Sequence, residues 1–196
     1  MKKQKMNLPN KLTLLRIMMI PLIIIIPLIK VEALQKEVLE GVSVSSLIVL
    51  IVFSIASFTD FLDGHIARKY NLVTDFGKFM DPLADKLLVF AAFILLIEMG
   101  SIPGWIVTVI IAREFMVTGI RLLAASNNLV IAASPLGKLK TISQMLTIIV
   151  LLLNNYPFSL IDLPVGKVLM YIAAALTVIS GIDYFVKNKD IILKTK

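Results

Sequence analysis

A chain of 196 residues that is 58% hydrophobic and 17% charged, with a mean hydropathy of +0.92, is too apolar for an ordinary soluble domain and reads as an integral membrane protein. In that setting the net charge of +7 belongs to loops beside anionic lipid and not to a nucleic-acid partner. With no cysteine and the single histidine His65, disulfides, thiolate metal sites, cysteine nucleophiles and any chemistry needing two histidines are excluded.

Residues 1–16 open the chain with lysines and then "NLPNKLTLLR", where Leu8, Leu12 and Leu15 recur at helical spacing among polar residues. This predicts a short interfacial helix. A signal peptide would share the lysines and the apolar run, but no small-x-small cleavage site follows. Six apolar stretches come next, at about 12–29, 42–59, 79–99, 102–125, 140–153 and 165–186. A helix needs roughly 20 residues to cross a bilayer, so most of these runs become spans only by including polar residues at one end. Pro21 and Pro27 fall inside the first stretch and predict a kink there.

Lysine and arginine identify the polar end. Lys2, Lys3, Lys5, Lys11 and Arg16 open the first span; Arg68, Lys69, Lys78 and Lys86 lie around the turn between the second and third. Arg113, Arg121, Lys138 and Lys140 cluster around the turn between the fourth and fifth, and Lys187, Lys189, Lys194 and Lys196 end the chain. Only Lys30, Lys36 and Lys167 remain for the opposite side. Six spans with both termini cytoplasmic satisfy the positive-inside rule. The expectation is an all-α, multi-pass protein of one domain, residues 1–196, whose helices turn their polar ends to the cytoplasm.

Those ends carry carboxylates. On a helix Asp60, Asp63, Gly64 and Ala67 share one face, as do Gly77, Asp81 and Asp85 on the next. Two antiparallel helices would gather four aspartates. Two such charges about 4 Å apart repel by about 4 kcal/mol at an effective dielectric near 20, so the group needs protons or metal ions. Oxygen ligands without histidine or cysteine suit hard cations, magnesium first, then manganese or calcium. Two such ions would suit displacement at a phosphoryl group. Small Gly64 and Ala67 leave room for a ligand against the backbone, and Arg68 stands where it can pair with a diphosphate.

Asp60-Phe-Leu-Asp63-Gly64-His-Ile-Ala67-Arg68, eight residues, then Gly77-Lys-Phe-Met-Asp81-Pro-Leu-Ala-Asp85 resembles the signature of the CDP-alcohol phosphatidyltransferases, so that 60–85 is the signature segment. "NLPNKLTLLR", "AREFMVTGIRLLA" and "LGKLKT" are similar to the phosphatidylglycerophosphate synthases within that family. The resemblance implies transfer of a phosphatidyl group from CDP-diacylglycerol to glycerol 3-phosphate, releasing CMP, by a homodimer in the cell (plasma) membrane with its site facing the cytoplasm. It implies two Mg2+ ions, with Mn2+ as a substitute, on Asp60, Asp63, Asp81 and Asp85, and Asp85 as general base. It places Asn10, Thr13, Asp60, Gly64, Ala67, Arg68 and Thr74 around the CDP-diacylglycerol. Asp75 falls outside the signature and reads as a helix N-terminal charge, and His65 as a spacer on the opposite face.

The acceptor is decided elsewhere. Glycerol 3-phosphate brings a phosphate dianion and calls for fixed positive charge. Arg113 and Arg121 lie on one stretch of span four, with Lys138 at the start of span five and Lys140 directed away from it. Intramembrane arginine is costly enough to serve a site or a partner, and arginine forks suit phosphate. Arg113 pairing merely with Glu114 is the plainer alternative; Glu114 otherwise orients one of the arginines. The same chemistry with inositol phosphate or phosphatidylglycerol as acceptor remains open, as does, remotely, a divalent-cation transporter. A transporter would spread its acids through the depth of several helices, whereas these cluster at one end.

Overall fold

Each of the six apolar stretches belongs to a helix. The computed structural model describes residues 7–70, 74–126, 129, 131 and 134–189, with backbone alone at Phe61, Asp63, His65, Ala67, Arg68, Lys69, Asp75, Lys78 and Ser126. The terminal lysines counted for orientation, Lys2, Lys3, Lys5, Lys194 and Lys196, lie outside the described residues. In chain order come α1 (Leu8–Leu28), α2 (Glu32–Gln35), β1 (Glu37–Leu39), β2 (Val42–Ser43), α3 (Val44–Lys69), α4 (Asp75–Glu98), α5 (Gly104–Ser126), α6 (Pro135–Leu152), a 3-10 turn (Phe158–Ile161) and α7 (Val165–Lys187).

By length and composition α1, α6 and α7 can each cross a membrane, which makes this a helical membrane protein. The helices α3, α4 and α5 are as long, with 26, 24 and 23 residues, but carry the acidic and basic residues singled out above.

The expected interfacial helix is not a separate element. From Leu8 onward it is the first turns of α1, which continues through Pro21 and Pro27 to Leu28. Local chemistry accounts for the continuity. Asn7 caps the helix by accepting the Asn10 N–H at 3.1 Å, Pro9 occupies the first turn, where a missing N–H costs nothing, and no breaker follows before Pro21.

The loop after α1 holds a small antiparallel hairpin pairing Glu37 with Ser43 and Leu39 with Val42, which composition did not suggest. Ser43 then caps α3 by accepting the Ser46 N–H at 3.2 Å. At the other polar end Thr74 caps α4 through the Gly77 N–H at 3.0 Å, and Asp75 is the first residue of that helix, as its reading as a terminal charge requires.

The chain divides into two compact units, residues 1–95 with 152–156, and 96–151 with 157–196. In the first, α1 lies along α3 and buries Ile23, Val49, Phe53 and Ala56. In the second, α5 packs on α7 over Ile106, Ile110, Val117, Ala173 and Tyr184. This second unit also encloses a polar seam of Arg113, Glu114, Lys140, Gln144, Thr177 and Ser180.

Candidate functional site

Within the first unit α1 is laid against the aspartate cluster, and its residues Asn10, Thr13 and Arg16 recur every three positions along the buried face. The Thr13 hydroxyl donates to Asp81 Oδ1 at 2.5 Å. Arg16, with no exposure at all, brings Nη1 to 2.7 Å from Asp60 Oδ1. That is a charge contact between α1 and α3, buried at its Arg16 end. The Asp60 and Asp81 carboxylates are near enough to act on each other as like charges. Asp85 is half-buried one turn beyond Asp81 on α4, and Gly64 is half-buried one turn beyond Asp60 on α3.

Asn10 and Thr74 belong to the same cluster. The Thr74 hydroxyl donates to Asn10 Oδ1 at 2.9 Å, while its oxygen caps α4. Beneath them Gly77 leaves a recess: a β-carbon added there would lie 3.2 Å from Asn10 Oδ1, 3.3 Å from Thr74 Oγ1 and 3.4 Å from Asp81 Oδ2. Oxygen atoms, one of them a carboxylate oxygen, surround that point.

Of the residues expected at this site, Asn10, Thr13, Asp60, Thr74 and Asp81 are brought together by direct contacts or charge. The side chains of Asp63, Ala67 and Arg68 lie outside the described residues, although their backbone continues α3. Among the described residues no group of three or more acidic or histidine side chains forms a metal cage. Sequence reasoning missed Arg16, which it counted only as a charge opening the first span. The signal was present in "LTLLRIMMI", an arginine flanked by apolar residues that needs a partner.

In the second unit the basic residues separate. Arg113 is buried: Nη1 donates to Glu114 Oε1 at 3.1 Å and Nη2 to Ser180 Oγ at 3.0 Å, while its buried Nε meets no acceptor among the described residues. Arg121, exposed on the same helix, donates from Nε to the Tyr184 hydroxyl at 3.2 Å and stands 5.5 Å from that ring's centroid, within cation–π range. Both arginines thus meet α7, at positions one turn apart. Lys138 is exposed in the first turn of α6, and no described contact joins it to either arginine. Lys140 is the buried lysine, and it donates to Glu114 Oε1.

Gly181 makes the Arg113 arrangement possible. A β-carbon there would lie 2.9 Å from Arg113 Cγ, closer than two carbons approach. Gly181→Ala is therefore expected to push Arg113 off Ser180 and to destabilise the protein by about 1–3 kcal/mol, the usual cost of overpacking. Thermal unfolding in detergent reads this directly, and an unchanged melting temperature would contradict the packing described.

Comparison with known proteins follows the same residues. The model of the CDP-alcohol phosphatidyltransferase family matches residues 6–179. A Bacillus subtilis protein named CDP-diacylglycerol–glycerol-3-phosphate 3-phosphatidyltransferase is 51% identical over 93% of this chain and 95% of its own length. A Rickettsia typhi protein of the same name is 43% identical over 91% and 95%. An Arabidopsis thaliana protein, numbered 2 under that name, is 40% identical over 73% of this chain and 67% of its own. A family match that takes in α1, the aspartate helices and the basic seam together places this chain in the CDP-alcohol phosphatidyltransferase family.

Proposed function

We propose that this chain transfers the phosphatidyl group of CDP-diacylglycerol to glycerol 3-phosphate, releasing CMP and forming phosphatidylglycerophosphate. The observation that carries the reading is the apposition of Asp60 and Asp81 beneath α1, each held at one oxygen, by Arg16 and by Thr13. The names of the Bacillus and Rickettsia relatives support glycerol 3-phosphate as the acceptor.

The family depends on divalent metal, and the donor set here fits a hard cation. Its described members offer oxygen alone, and the Gly77 recess is bordered by three oxygen atoms. We assign two Mg2+ ions, replaceable by Mn2+, to Asp60, Asp63, Asp81 and Asp85. Bound metal supplies charge neutralisation of a diphosphate and polarisation of phosphorus.

The remaining work falls to the chain. Asn10, Thr13, Asp60, Gly64, Ala67, Arg68 and Thr74 hold the cytidine diphosphate end of the donor. Arg113, Arg121 and Lys138 hold the acceptor phosphate, with Glu114 fixing Arg113. Asp85 takes the proton from the acceptor hydroxyl. That oxygen bonds to the phosphorus bearing diacylglycerol, the bond from this phosphorus to the CMP oxygen breaks, and CMP leaves as an anion. Direct displacement needs no covalent enzyme intermediate. The donor's acyl chains require a bilayer. We therefore place six spans in the plasma membrane, with both termini and the site at the cytoplasmic face, and the chain as a homodimer with no nucleic-acid partner.

Purified protein in detergent, given CDP-diacylglycerol, Mg2+ and labelled glycerol 3-phosphate, is expected to release CMP and labelled lipid in equal amounts. Chelation by EDTA should abolish both, and excess Mg2+ should restore them. Turnover with inositol phosphate or phosphatidylglycerol alone would replace the acceptor assigned here, and turnover indifferent to EDTA would remove the metal from the reading.

A further inference from the structure

We infer that Arg16 is a positioning residue of the aspartate centre, acting through Asp60; the inference rests on the metal-binding reading above. Arg16 stands in α1 between Leu15 and Ile17 and is the largest side chain in the described protein with almost no solvent exposure. An arginine within an apolar helix is retained where a partner or a site requires it. Its contacts identify the requirement. Nε donates to the Ala56 carbonyl at 3.3 Å, one helical turn before Asp60 on α3, and that carbonyl also receives the Thr59 hydroxyl at 2.7 Å. Nη1 then reaches 2.7 Å from Asp60 Oδ1. The guanidinium is therefore anchored to the backbone of the very helix whose carboxylate it meets.

Two-point attachment separates positioning from neutralisation. A planar guanidinium bonded through Nε to a helix carbonyl has little freedom left, so Nη1 marks a fixed place for Asp60 Oδ1. One turn earlier on the same face, Thr13 does the same for Asp81 Oδ1. Helix α1 thus sets one oxygen on each of two carboxylates carried by α3 and α4. Residues that orient a ligand without touching the metal typically change metal affinity or activity by about 10–100-fold when replaced. A lysine at position 16 would keep the positive charge and lose the second anchor.

The test compares Arg16→Lys and Arg16→Gln with wild type in the full chain in detergent. Binding of Mn2+ is followed by electron paramagnetic resonance without substrate, alongside thermal unfolding, kcat, and KM for each substrate. Both variants are expected to remain folded and to bind Mn2+ about tenfold or more weakly. Their kcat should fall with KM for glycerol 3-phosphate unchanged. In an Asp60→Asn background, Arg16→Lys should weaken Mn2+ binding no further, because the group through which it acts is already gone. Wild-type Mn2+ affinity in folded Arg16→Lys would overturn the inference, as would effects of the two substitutions that multiply. Loss of fold in both Arg16 variants, with Asp60→Asn folded, would also overturn it by making Arg16 structural. A wild-type protein that binds no Mn2+ would overturn the metal reading itself, and the inference with it.

Discussion

Asp85→Asn is expected to lower kcat by about a thousandfold or more while leaving the protein folded. The substitution keeps the size and planar shape of the side chain and removes its charge and its capacity to accept a proton. General bases contribute about 10²–10⁴-fold to turnover, and the proposed assignment of Asp85 to the metal-binding set adds the loss of a ligand carboxylate. Stability should hold because Asp85 belongs to a crowd of like charges, with Asp81 one turn before it on α4 and Asp60 near enough to Asp81 for the two to repel. Removing one negative charge from such a group relieves repulsion in the metal-free protein. The measurement is CMP release under saturating substrate, with thermal unfolding of the same preparation. A loss smaller than about tenfold in folded protein would place the base on another residue. Lost turnover accompanied by unfolding would give Asp85 a structural part that its place in the cluster does not suggest.

The helices were legible in the sequence because hydropathy reports where lipid-compatible side chains run. Their polar ends were less so. The second apolar run closes near residue 59, while α3 continues to Lys69 through the aspartates whose helical spacing already implies it, and α6 begins at Pro135, ahead of both Lys138 and the apolar run. Backbone hydrogen bonds continue a helix regardless of what its side chains face, and caps such as Ser134, which accepts the Gly137 N–H at 3.1 Å, decide the ends. For the same reason the opening segment merged with α1: nothing between Asn10 and Pro21 interrupts the ladder.

At the site, spacing alone puts Asp60 and Asp81 on defined helix faces, since a 3.6-residue period needs no knowledge of neighbours, and both carboxylates meet α1. Arg16 was out of reach. Whether a long cationic side chain reaches back to water or turns inward depends on what the adjoining helix presents, here the Ala56 carbonyl and Asp60. The lysines of α6 show the same limit. Two residues apart, Lys138 and Lys140 must diverge by about 200°, and this much was read correctly. Which of the two directions is the interior is settled by Glu114, a residue on another helix.

Glu114→Gln is expected to destabilise the protein by about 3–5 kcal/mol, the usual consequence of breaking a buried ion pair from one side. Its Oε1 accepts from both Arg113 Nη1, at 3.1 Å, and Lys140 Nζ, and all three residues are at most 9% exposed. One carboxylate therefore serves two buried cations. Glutamine preserves the shape and can still accept hydrogen bonds, but removes the negative charge that the two buried cations share. Lys140→Met in the Glu114→Gln background should recover part of the loss, because it removes one of those charges and fills the space with an unbranched apolar chain of similar length. The single Lys140→Met change should cost less than Glu114→Gln, since the remaining Arg113–Glu114 pair is neutral and Ser180 still binds the guanidinium. Thermal unfolding of the four proteins completes a double-mutant cycle. A positive recovery in the double variant identifies charge repulsion as the damage. Additive losses would mean that Glu114 and Lys140 stabilise the seam separately, and that the contact between them contributes nothing.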